Sequence, residues 1–215
     1  MIPLGDDNLA RITPVVTYLL IGLNTLVFGY ILYSQIFLPA GSLLTTYALV
    51  PRRISSGQGY YSFFTSLFLH ADLAHLIGNM LFLHIFGDNV EDALGHIKFA
   101  LFYLLCGLGG SLLQFFISST SSVPVVGASG AIAGVMGAYL VLYPQARVRV
   151  LIPGFFFYRQ VMLPAQFMLF YWILIQVLFG LSSLGINGGG VAYFSHIGGF
   201  LTGWFLVRQS FSSGS

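Results

Sequence analysis

The sequence predicts an all-α polytopic membrane protein, a bundle of six transmembrane helices with both termini in the cytoplasm. Three observations carry that prediction. Of the 215 residues, 57% are hydrophobic and only 7% are charged, against about 25% charged in a soluble domain. The apolar residues gather into six stretches, all but the short fourth near the roughly 20 residues that cross a hydrocarbon core about 30 Å thick. Arg11, Lys98, Arg147, Arg149, Arg159 and Arg208 fall on one side of those stretches and only Arg52 and Arg53 on the other. The positive-inside rule assigns the richer side to the cytoplasm.

In chain order, residues 14–37 form the first span. It is too long for a signal-peptide core and has no small-residue cleavage pattern, so it reads as a retained anchor. Residues 38–71 connect it to the second span and are rich in Tyr, Phe, Leu and Gly rather than charge. A water-exposed linker has no use for Tyr60, Tyr61, Phe63, Phe64, Leu67 and Phe68, so this loop is expected in the interface or against the bundle. Asp72 is placed to cap the second span, residues 73–90. The third span covers 97–118 and the fourth 129–143, ended by Pro144. The fifth covers 166–186 and the sixth 191–207, and the tail 210–215 (SFSSGS) reads as frayed. Each span must be helical, because backbone groups facing lipid need partners within their own segment. No repeat is visible, and residues 1–215 read as a single domain.

Depth organises the polar residues. At 1.5 Å per residue, Ser129 stands about 22 Å, His75 about 20 Å and His196 about 18 Å above the inner ends of their spans. Three polar side chains from three spans therefore share one level in the outer leaflet. The fourth span is too short to cross alone, so residues 121–126 must dip in as extended chain. Such backbone is tolerated only when buried in protein or lining a wet cavity. Below Ser129 come Ala133 and Gly137, and below His196 come Gly199 and Gly203, small residues that let helices approach closely in lipid.

A serine in a membrane helix usually serves as helix–helix glue; what changes the reading is the company it keeps. His196 can act as base toward Ser129, and His75 and Asn79, one turn apart on one face, can both donate to a developing oxyanion together with the Ser129 backbone N–H. The carboxylates Asp6, Asp7, Asp72, Asp88, Glu91 and Asp92 all lie in loops or at span ends. A serine–histidine dyad fits better than a triad, and an aspartyl intramembrane protease does not fit. HExxH is absent, and GASGA is not the GxSxG elbow of soluble hydrolases. The net charge of +2 comes with no basic run, so nucleic acid is not an expected partner. Cys106, the single cysteine, reads as a packing residue.

These motifs resemble those of the rhomboid intramembrane serine proteases: GASG at 127–130, HxxxN from His75 to Asn79, HxxGxxxG from His196 to Gly203, and FLHADLAHLIGNMLF at 68–82. The resemblance implies a six-helix rhomboid-like bundle with Ser129 as nucleophile and His196 as base. It implies an oxyanion hole of His75, Asn79 and the Ser129 amide, with Gly127, Gly130, Gly199 and Gly203 packing around them. It further implies single-span membrane proteins as substrates, entry involving the fifth span and the loop 187–190, and no metal or cofactor. Two features depart from many members. The first loop lacks their Trp-Arg pair, and Ala133 stands where some carry a tyrosine beneath the histidine, leaving Tyr193 and Phe200 as candidate ring partners.

Two other classes are weighed beside the protease. An inactive rhomboid-like protein that binds membrane clients usually lacks the serine or histidine, and this chain keeps both. A small transporter or channel needs polar residues continuing to the inner side, whereas these stop at one depth. The charge-poor bundle, short loops and absence of an appended domain suit a multi-pass protein of a prokaryotic (bacterial) plasma membrane, with an archaeal or organelle membrane as the alternative.

Overall fold

The computed structural model describes residues 1–37, 43–153, 158–185 and 190–212. The start of the first loop, the last residue of the fifth expected span, positions 187–189 of the loop 187–190 and the end of the tail lie outside the described residues. Strand β1 (Ile2–Asp6) precedes helix α1 (Val15–Phe37). Among its described residues the first loop then holds three short α-helices, α2 (Leu43–Tyr47), α3 (Pro51–Ser55) and α4 (Ser62–Thr65), and a 3-10 turn at Ser66–Phe68. Helices α5 (Leu73–Leu94), α6 (His96–Ile117) and α7 (Ser129–Leu142) follow, then strands β2 (Arg147–Pro153) and β3 (Tyr158–Pro164), then α8 (Ala165–Ser182) and α9 (Tyr193–Ser212).

By length and composition α1, α6 and α8 can each cross a membrane. A fourth candidate joins residues 62–68 to α5 across a 92° bend. Helix α7, at 14 residues, reaches only about 21 Å. The chain just before it is extended: Leu49 and Val125 form an antiparallel bridge, with N–H···O distances of 3.0 and 2.8 Å. The Arg52 N–H donates to the Ser121 carbonyl at 2.9 Å, and the Gly127 N–H to the Ser66 carbonyl at 2.9 Å. The first loop thus supplies the backbone partners that segment 121–127 would otherwise lack. The loop is held in turn by Arg53, whose guanidinium donates to the Ala48 carbonyl at 2.7 Å and the Thr45 carbonyl at 3.3 Å.

The all-α expectation requires a correction. A three-stranded antiparallel sheet, in the order β1-β2-β3, runs beneath the helices. Its signal is the alternation Arg147-Val148-Arg149-Val150, with both valines buried and both arginines exposed. Reading those arginines only as cationic markers of a loop concealed the period of two. The second span is also longer than expected. Helix α5 continues to Leu94 because Glu91, wholly buried, has a task there. It accepts from the Val16 N–H at 2.8 Å, the Thr17 N–H at 2.7 Å and the Thr17 hydroxyl at 2.7 Å. A carboxylate satisfying the first free N–H groups of α1 caps that helix and complements its dipole.

At the same end, Tyr139 on α7 donates to the Asp6 carboxylate, and Asn89 on α5 donates to it at 3.2 Å. Asp6 therefore ties the sheet to two helices. Burial pushes its carboxyl up to about 6, more than the Tyr139 bond lowers it. A carboxyl raised above its unfolded value of 3.8 contributes stability at low pH that is lost as pH rises through about 6. Asp6→Asn should therefore flatten the dependence of thermal unfolding on pH between 4 and 7, measured in detergent micelles; an unchanged slope would contradict the linkage.

Candidate active site

Three helix N-termini converge at the end opposite the sheet. Ser129 is the first residue of α7, His196 lies in the first turn of α9, and His75 in the first turn of α5. The Asp72 carboxylate caps α5 by accepting from the His75 N–H at 2.8 Å.

What brings Ser129 and His196 together is the absence of side chains between α7 and α9. A methyl built on Gly199 would lie 1.8 Å from the Gly130 carbonyl oxygen, and one on Gly203 would lie 2.0 Å from that of Gly134. One on Gly137 would lie 2.3 Å from the Phe200 carbonyl oxygen. The close-approach row on α7 is therefore Gly130, Gly134 and Gly137; Gly137 belongs to the expected face, while Gly130 and Gly134 stand one residue round the helix from the expected Ser129 and Ala133. Turning the glycines onto α9 leaves the serine at the edge of the contact, facing the histidine.

The Ser129 Oγ lies 2.8 Å from His196 Nε2, and His196 Nδ1 lies 2.7 Å from Gln176 Oε1 on α8. The ring packs against Trp172, also on α8, with centroids 5.6 Å apart. Trp172 in turn stacks on Phe200 at 6.4 Å. Of the two expected ring partners, Phe200 reaches the histidine's surroundings by way of Trp172, while Tyr193 pairs with Phe179. Gln176 and Trp172 were not anticipated from sequence. The signal for Gln176 was an amide in the interior of an otherwise apolar span, since polar residues at membrane depth mark functional positions; nothing in the sequence singled out Trp172.

His75 and Asn79 approach from α5. Gly127 has φ +128°, and a methyl there would lie 2.8 Å from His75 Cε1 and Nε2 and 3.5 Å from Ser129 Oγ. The side chain missing from Gly127 leaves a small hollow bounded by the imidazole and the hydroxyl. Asn79 is buried, and its Nδ2 has no hydrogen-bond partner among the described residues. Such an orphan donor is costly unless something else fills the role of acceptor. The N–H groups of Ser129, Gly130 and Ala131 precede the helical ladder, which begins with the Ile132 N–H donating to the Ala128 carbonyl. Among the described residues, no group of three or more His, Cys, Asp or Glu could hold a metal ion.

Residues 57–212 match the family described as the Rhomboid domain. The chain belongs to the rhomboid family. It is 35% identical to the mitochondrial RHOMBOID-like protein 6 of Arabidopsis thaliana over 74% of this chain and 46% of the relative. It is 31% identical to Rhomboid protease GluP of Bacillus subtilis over 90% of this chain and 34% of that protein. It is 26% identical to the mitochondrial Rhomboid protein 1 of Saccharomyces cerevisiae over 89% of this chain and 53% of that one. The chain spans about half the length of the curated relatives it matches, or less.

Gly127 yields a test of the hollow. Gly127→Ala places a side chain at a φ that L-residues rarely adopt and drives it onto His75. It should cost about 1–3 kcal/mol of stability, read by thermal unfolding in micelles. Unfolding at the wild-type temperature would contradict the geometry.

Proposed function

We propose that this chain is an intramembrane serine endopeptidase of the rhomboid type, cutting membrane proteins within or near their membrane segment. The observation that carries the reading is the 2.8 Å contact between Ser129 Oγ and His196 Nε2, which joins an alcohol to a base across two helices at one level. The family includes proteases, as the name of the Bacillus subtilis relative states.

In this mechanism His196 Nε2 takes the hydroxyl proton as Oγ bonds to the scissile carbonyl carbon. The resulting oxyanion sits in the hollow beside Gly127, accepting from Asn79 Nδ2, from His75 and from the Ser129 N–H. The positive end of α7 adds to that stabilisation. The proton then passes from Nε2 to the leaving amine as the C–N bond breaks. A water molecule, activated by the same nitrogen, hydrolyses the acyl-enzyme.

In the bilayer this reading has six crossings, with α7 completed by the extended segment 121–127 and both termini on the cytoplasmic side with the sheet. We read the described residues as one membrane domain, since β1 joins the sheet that leads into α8. Single-span proteins are the substrate class, and α8 lies on the side of entry. The relatives' names span mitochondrion, chloroplast and a bacterium, and the proposal of a prokaryotic plasma membrane rests only on the short, charge-poor loops.

Protein reconstituted with a fluorogenic membrane-segment substrate should cleave it, and Ser129→Ala should lower the rate roughly 10³-fold or more. A serine-directed fluorophosphonate should label Ser129, and His196→Ala should suppress the labelling. Wild type cutting no better than Ser129→Ala would remove the enzyme reading; labelling that survives His196→Ala would remove His196 as base.

A further inference from the structure

We propose that Gln176 is a positioning residue that sets the tautomer of His196 and so keeps its reactive nitrogen able to accept a proton. The inference rests on the protease reading above and deepens it. A neutral imidazole carries its one proton on either ring nitrogen, and the hydrogen bond at one decides the role of the other. If Nε2 holds the proton, it has no lone pair to offer a serine hydroxyl. The base is competent only as the Nδ1–H tautomer.

The contacts around Gln176 select that tautomer. Its Nε2 lies 3.3 Å from the Trp172 carbonyl oxygen, one turn back on α8. A carbonyl oxygen only accepts, so the amide must turn its NH₂ toward Trp172, which leaves Oε1 toward His196. Oε1 also only accepts, and it lies 2.7 Å from His196 Nδ1. The proton therefore sits on Nδ1, and the Nε2 lone pair faces Ser129 Oγ. Gln176 is 7% exposed and His196 9%, so water competes little for either bond. The placement of α8 is itself braced near this point. A methyl on Gly180, one turn beyond Gln176, would lie 3.3 Å from the Tyr193 Cβ of α9. An amide differs from the carboxylate of a triad in one respect: it orients the imidazole without adding a charge to hold the imidazolium.

The test compares wild type, Gln176→Leu, Gln176→Glu and Ser129→Ala, with cleavage of a membrane-segment substrate followed in proteoliposomes from pH 5 to 9. Gln176→Leu keeps the volume and removes the acceptor. It should lower kcat roughly 10- to 100-fold, by analogy with the loss seen when the hydrogen-bond partner of a metal-bound imidazole is removed, with KM changed less than about twofold. Gln176→Glu restores an acceptor and should recover most of the rate. Its added charge favours the imidazolium, so the acidic limb of the rate profile should move up by about one pH unit or more. A packing role predicts neither the recovery nor the moved limb. Independently of activity, ¹⁵N spectra of histidine-labelled protein should show His196 as the Nδ1–H tautomer in wild type and lose that preference in Gln176→Leu. Wild-type kcat and pH profile in Gln176→Leu, with Ser129→Ala inactive, would overturn the role of Gln176 and leave the protease standing. Inactivity of every variant including wild type would sink the protease reading instead, while an Nε2–H tautomer in the wild-type spectra would still overturn this one.

Discussion

The contact on which the rest of the structure depends is backbone against backbone. Helices in lipid gain little from hiding apolar side chains, because the acyl chains are as apolar as the protein. They associate through close packing and through polar contacts instead. Between α7 and α9 the packing has reached its limit. Methyl groups on Gly199 and Gly203 would run into the Gly130 and Gly134 carbonyls, and on the α7 side a methyl on Gly130 would meet the Ser195 hydroxyl of α9 at 2.6 Å. Two consequences follow from that one fit. The helices are locked in register along their axes, and their N-terminal ends are drawn level. The hydroxyl at the head of one then lies within hydrogen-bond reach of the imidazole at the head of the other.

The remaining polar groups divide between the two ends of this pair. At one end Glu91 caps α1 and Asp6 ties the sheet to α5 and α7, fixing the feet of the helices. At the other end Asp72 caps α5, and the first loop lends backbone partners to the extended chain before Ser129. On α5, one turn after His75, the buried Asn79 Nδ2 has no hydrogen-bond partner among the described residues. In the protease reading proposed above, that open donor is available to an oxyanion. Helix α8 contributes differently. It brings an indole and an amide to the imidazole, and both come from a helix with little polar business of its own.

Much of this was legible in the sequence, because the strongest constraints on a membrane chain are lengths and depths. Apolar runs gave the helices, Pro144 and Asp72 marked boundaries, and counting residues set His75, Ser129 and His196 at one level. The shortness of the fourth span implied an extended approach, and the bridge from Leu49 to Val125 supplies its partners. What escaped was set by rotation and by pairing. Whether Ala133 or Gly134 faces α9 differs by about 100° of helix rotation, and both are small. The sheet joins β1 to a hairpin some 140 residues later, a pairing no local pattern reveals beyond the alternation at 147–150. Gln176 stands 20 residues before His196 on another helix, and only the packing of α8 on α9 brings the two side chains together.

A graded series at position 199 tests this account most directly. Gly199→Ala and Gly199→Val should stepwise lower fluorophosphonate labelling of Ser129 while circular dichroism keeps its helical signature, because each added carbon must push α9 away from the Gly130 carbonyl. Undiminished labelling in the valine variant would show that the hydroxyl and the imidazole do not depend on glycine contact to meet, and the account would fail at its base.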